Sequence, residues 1–108
     1  MTNQLRNATF SPKTIAVGAA KTANSSGVYI VSGAYDVTLG SDLVVGDIIV
    51  IYNAHSADIT IQDGTFSDFH ADNDTAHNDD YQLATHAMAT ITIISSTTAV
   101  IAGAGVST

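Results

Sequence analysis

The chain has 108 residues, a length that fits one domain, and 45% of them are hydrophobic against 12% charged. That balance excludes a disordered chain, and the lack of cysteine excludes a disulfide framework and thiolate chemistry. Ten acidic residues against three basic ones give a formal net charge of −7, which disfavours nucleic acid and anionic membrane surfaces as partners.

All ten acidic residues are Asp. Glu favours helices, whereas Asp bonds to nearby backbone and favours turns. With Thr, Val, Ile and Gly abundant, this composition reads as strands joined by tight turns. The charges are segregated as well. Arg6, Lys13 and Lys21 lie in the first 21 positions, and every Asp lies from Asp36 onward.

Residues 1–12 read as an extended, basic arm, polar apart from Leu5 and Phe10, with Pro12 opposing a helix. A strand over Thr14 to Val17 is followed by a small-residue loop from Gly18 to Gly27. Val28 to Ser32 is the next strand. Tyr35 to Leu39 alternates, with Tyr35, Val37 and Leu39 on one face. Gly46-Asp47 is a turn signal ahead of Ile48 to Tyr52. That run is β-branched on both faces, so it is expected to be a central strand covered on both sides. Asp58 to Gln62 alternates again, and Asp63-Gly64 signals a hairpin or tight connection.

Residues 65–80 read as a long polar surface loop, with Phe66 and Phe69 packing at its start. Tyr81 to Leu83, Met88 to Ile94 and Ala99 to Ala102 complete the strands, and Gly103 to Thr108 reads as a flexible tail. The expected fold is all-β: a single β-sandwich or jelly-roll-like domain over residues 13–108, with eight or nine short strands behind the arm. The N-terminus has no apolar stretch resembling a secretion signal, and no apolar run suffices for a spanning helix.

Signs of catalysis are sparse. No serine sits in a Gly-x-Ser-x-Gly elbow, and no glycine-rich loop precedes a helix. The expectation is a protein that is not an enzyme, with no catalytic residues, no cofactor and no resident metal. One cluster stands apart: Asp68, His70, Asp72, Asp74, His77, Asp79 and Asp80. Carboxylates and imidazoles ligate divalent cations. The spacing, however, lacks the central Gly and distal Glu of an EF-hand and the His-x-x-x-His of zinc hydrolases. It reads first as a solvated acidic loop and second as a cation or pH-sensitive loop centred on His70, Asp72, Asp74 and His77. Carboxylates around His70 and His77 favour imidazolium, so a pH response is expected.

The segment Val44-Val45-Gly46-Asp47-Ile48-Ile49-Val50-Ile51-Tyr52-Asn53 is followed by Asp58-Ile59-Thr60-Ile61. Together they resemble a recurring pattern in structural proteins of tailed-bacteriophage virions. Tyr81-Gln82-Leu83-Ala84 with Ala89-Thr90-Ile91, and the close Val100 to Ser107, are similar to the final hairpin and ending of those proteins. The sequence departs from the pattern at Ala99, where an aromatic residue is usual, and in its Asp- and His-rich segment 66–80. The resemblance implies a sandwich module, often trimeric, of the kind found in capsid decoration (cement) proteins and tail-fibre modules.

On that resemblance, the expected function is capsid decoration. A homotrimer would bind the major capsid protein of the assembled shell, and Leu5, Arg6, Phe10 and Lys13 of the arm would make the contact. The location would be the virion surface, after synthesis in the host cytoplasm. The alternative is a tail-fibre or spike module that recognises a host receptor or sugar.

Overall fold

The structure, a computed structural model, describes residues 13–108. Leu5, Arg6 and Phe10 of the expected arm lie outside the described residues. The described chain is all-β and forms a two-sheet sandwich of eleven strands. They are β1 (Thr14–Val17), β2 (Lys21–Ala23), β3 (Gly27–Val31), β4 (Val37–Leu39), β5 (Ile48–Asn53), β6 (Ile59–Gln62), β7 (Asp68–Ala71), β8 (Asp80–Leu83), β9 (Met88–Ile93), β10 (Thr98–Ala102) and β11 (Val106–Ser107). One sheet runs β1-β3-β5-β9-β10-β7 and the other β11-β8-β6-β4-β2.

The first six strands alternate between the sheets, and within each sheet they pair in parallel. Parallel neighbours need a crossover, commonly a helix. Here the strand in the facing sheet is the crossover, so the chain winds as a coil of two strands per turn. The second half closes the sheets with antiparallel pairs, β9 on β5 and β8 on β6, while β7 pairs in parallel with β10.

Two-residue alternation builds the core. Tyr29 and Val31 of β3, Ile49 and Ile51 of β5, and Ala89, Ile91 and Ile93 of β9 are all buried. They face Val37, Leu39, Ile59, Ile61, Tyr81 and Leu83 of the opposite sheet. Tyr29 Oη–H donates to the Ser25 carbonyl at 2.7 Å, which satisfies a hydroxyl that would otherwise be costly to bury. Phe69 and Tyr81 meet edge to face across the two sheets, with ring centroids 5.0 Å apart.

The structure refines four local expectations. The loop from Gly18 to Gly27 contains the three-residue β2. The segment 65–80 contains β7, with Phe66 and Phe69 buried as expected. The tail contains β11, paired with β8. β5 is central, but it is fully covered on one face only. Val50 and Tyr52 are half-buried and Ile48 is exposed. Their shelter comes from neighbours in register, such as Ile30 and Met88 beside Tyr52, and not from a further layer among the described residues.

Candidate functional site

The side chains with the most chemistry sit at the β7–β8 end of the sandwich. His70 lies on β7, and its Nδ1 is 2.8 Å from Asp68 Oδ1. Asp72 follows the strand; its N–H donates to the Ile101 carbonyl and its side chain is exposed. Asp74 Oδ1 accepts the N–H groups of Thr75 and Ala76, a turn built on its own backbone. His70, Asp72 and Asp74 therefore do not converge with His77.

His77 turns back instead toward Asp63 and Asp79, with Nε2 3.2 Å from a carboxylate oxygen of each. The ligand atoms of Asp63, His77 and Asp79 lie within 4.8 Å of one another. Hydrogen bonding fixes the tautomer of this group. The Phe69 N–H donates to His77 Nδ1 at 2.8 Å, so that nitrogen accepts. In the neutral ring the proton then sits on Nε2 and points at the two carboxylates. With its proton there, Nε2 has no lone pair to offer a cation. The Asp63 carboxyl is held above its ordinary value, first by desolvation and then by the charge of Asp79, with His77 acting in the opposite direction.

These bonds cover an edge. In the parallel β7–β10 ladder, Asp68 and Asp72 donate inward to β10, which leaves the Phe69 and Ala71 backbone groups pointing away from it. The chain's own loop satisfies three of these four groups. His77 takes the Phe69 N–H, the Asn78 N–H donates to the Phe69 carbonyl, and the Asp74 N–H donates to the Ala71 carbonyl. Asn78 also donates to Tyr81 Oη at 3.0 Å. The Asp63–His77 pairing is not legible in the sequence, because it joins a turn after β6 to a loop fourteen positions later.

A cleft of about 330 Å³ lies nearby, lined by Ala71, Asp72, Ile101, Ala102, Gly103 and Val106. Asp72 is its one ionisable side chain, so it lacks the convergent polar groups of a small-molecule site.

A second surface feature escaped the sequence reading. Val44 is 63% exposed, Val45 62% and Ile94 53%, with Ile48 exposed beside them. The Gly46-Asp47 turn holds this apolar tip rigidly. Gly46 has a positive φ of 95°, a conformation glycine adopts readily. Asp47 accepts the Val44 N–H at 2.9 Å and the Ser26 hydroxyl at 3.0 Å, and Ser26 Oγ in turn accepts the Ile48 N–H. The Gly46 N–H donates to the Ile93 carbonyl, which places the tip against the end of β9 and so beside Ile94. Two adjacent valines immediately before a turn dipeptide were the available signal.

Comparison with protein-family models and with curated proteins finds no match to this chain.

Proposed function

We propose that this chain is a structural protein of a phage virion: a capsid decoration protein, assembling as a trimer, that binds the major capsid protein of the shell and stabilises it. The apolar tip carries this reading. Val44, Val45, Ile48 and Ile94 are solvent-facing on a rigid, hydrogen-bonded turn. Grouped exposed apolar residues of this kind mark protein–protein contact surfaces. The resemblance of Val44 to Asn53 to virion proteins, which begins at the same tip, supports the partner class. The role is packing and not catalysis.

Stabilisation would follow from mass action. A protein that binds the assembled lattice and not its free subunits adds RT ln(1 + [L]/Kd), about 2.7 kcal/mol per site at a hundredfold excess over Kd. Burying the tip against the shell, with the acidic surface left in water, makes such binding additive across many sites.

The test is addition of the purified protein to undecorated capsids. The expected result is saturable, stoichiometric binding and raised heat resistance of the shell. Absence of capsid binding together with binding to host cells would replace this reading with the tail-fibre alternative.

A further inference from the structure

The two ends of the sandwich differ in how their strand edges are finished. At the β7–β11 end most of the outward groups are satisfied internally. The loop covers β7, and the outward Val106 N–H of β11 donates to the Gly103 carbonyl. The opposite end is the first turn of the coil, formed by β1 and β2. Val28 donates to the Lys13 carbonyl and Ser32 to the Val17 carbonyl, so residues 13, 15 and 17 face β3. By ladder alternation, the N–H and C=O groups of Thr14 and Ala16 face outward. On β2, the Lys21 N–H donates to the Asp36 carbonyl and the Gly40 N–H to the Ala23 carbonyl, which leaves Thr22 facing outward. These outward groups have no partner among the described residues.

Lys13 and Lys21 are the basic residues among the described positions, and both stand at this open end. Each falls on the core-facing alternation of its strand, with Ile15 and Val17 or with Ala23, and yet is exposed. Charges placed this way on an edge discourage pairing with an identical edge. Two copies meeting here would bring four lysines together. The chain's acidic end cannot serve as the partner either, since its own loop already covers the β7 edge. Residues 1–12 contain Arg6 and no carboxylate, so their charge does not match.

We infer that the open β1 edge is a docking site for an extended, carboxylate-bearing strand of another protein, which adds to the six-stranded sheet. Backbone bonds to Thr14 and Ala16 supply the pairing, as in strand addition generally. Lys13 and Lys21 attract acidic flanks, while the carboxylates elsewhere on the chain repel them. Identifying the donor as a shell protein rests on the reading above; the edge itself does not.

The probe is a hexapeptide of alternating Thr and Val with Asp at both ends, titrated into the full chain and followed by amide NMR. Expected are shifts and slowed exchange confined to Thr14, Ala16 and their neighbours. A Lys-ended peptide, or the variant Lys13→Glu/Lys21→Glu, should bind about tenfold more weakly at low salt. Ala16→Pro removes an outward donor and should abolish binding. The double-charge variant keeps the test valid if the proline variant fails to fold. No binding, equal binding of both peptides, or Thr14 and Ala16 amides already protected in the dilute monomer would each overturn the inference. Capsid binding with no peptide binding would remove this edge and leave the decoration reading intact; peptide binding without capsid binding would do the reverse.

Discussion

Asn53 is the buried polar side chain of the core, and truncating it should be among the most damaging single changes in the described chain. It ends β5 and makes three side-chain hydrogen bonds. Nδ2 donates to the Ala57 and Leu83 carbonyls at 2.9 Å each, and Oδ1 accepts the His55 N–H at 2.8 Å. One residue thus ties the end of β5 to the following turn and to β8 in the facing sheet. Asn53→Ala strands all three partners. Leaving a buried group unsatisfied costs about 1–3 kcal/mol. Water can reach Ala57, which is exposed, and His55, which is half-buried, so the full penalty falls on Leu83. With about 0.5–1.5 kcal/mol more for each of the two other lost bonds, a loss of about 2–6 kcal/mol follows, a large fraction of the roughly 5–15 kcal/mol expected of a domain this size.

Asn53→Asp separates hydrogen bonding from packing. The shape is kept, but a carboxylate oxygen now faces two carbonyl oxygens. Burial raises the folded pKa of such a carboxyl, so the native state holds a proton that the unfolded chain has lost. The deficit of Asn53→Asp relative to the parent should therefore shrink as pH falls from 7 toward 4, while that of Asn53→Ala stays constant. Urea unfolding with linear extrapolation, at pH 7 and pH 5, measures both. An Asn53→Ala loss under about 1 kcal/mol, or parallel behaviour of the two variants, would refute the reasoning.

Gly64 has φ +61°, and a Cβ there would lie 1.9 Å from the Leu39 carbonyl oxygen, so Gly64→Ala should cost more than about 2 kcal/mol and lower Tm by roughly 10 °C. His77→Ala removes the acceptor of the Phe69 N–H; hydrogen exchange at Phe69 should speed at least about tenfold with little change at Ile49 or Ile91. The raised Asp63 carboxyl implies that its ionisation costs stability as pH climbs from the unfolded value of 3.8 through the higher folded one. Asp63→Asn keeps an acceptor for His77 and loses that cost, so it should be more stable than the parent at pH 7, with the advantage vanishing near pH 4 in thermal melts.

Strands β3, β5 and β9 were legible because alternation of buried and outward side chains is a local property. β7 was not, because Asp68 and His70 occupy its outward positions at an edge, and Asp-Phe-His-Ala therefore carries little apolar signal. β2 and β11, at three and two residues, lie among small and polar neighbours that extend no alternation beyond them, unlike the equally short β4, whose pattern starts at Tyr35. The parallel coil was invisible for a different reason. Short linkers such as 18–20 and 24–26 suit a hairpin as well as a step to the facing sheet, and only long-range packing decides between them. The acidic cluster was legible as a cluster. Its use as an edge cover was not, because that depends on His77 reaching back eight residues to Phe69.

The segment richest in reactive side chains is therefore one whose polar groups the fold already employs, while the apolar surface left without a partner among the described residues is the chemically plain tip. This yields a discriminating substitution. Val45 is 62% exposed, and no described side-chain hydrogen bond involves it, so Val45→Asp should alter stability by no more than about 0.5 kcal/mol. It places a charge at the centre of the surface proposed to meet the shell, where burying an unpaired carboxylate is strongly unfavourable. Binding to capsids should fall at least tenfold while the melting curve is unchanged. His77→Ala should do the opposite, loosening β7 and leaving capsid binding near that of the parent. If Val45→Asp binds like the parent and His77→Ala does not, the contact surface lies at the acidic end and the assignment of the tip is wrong.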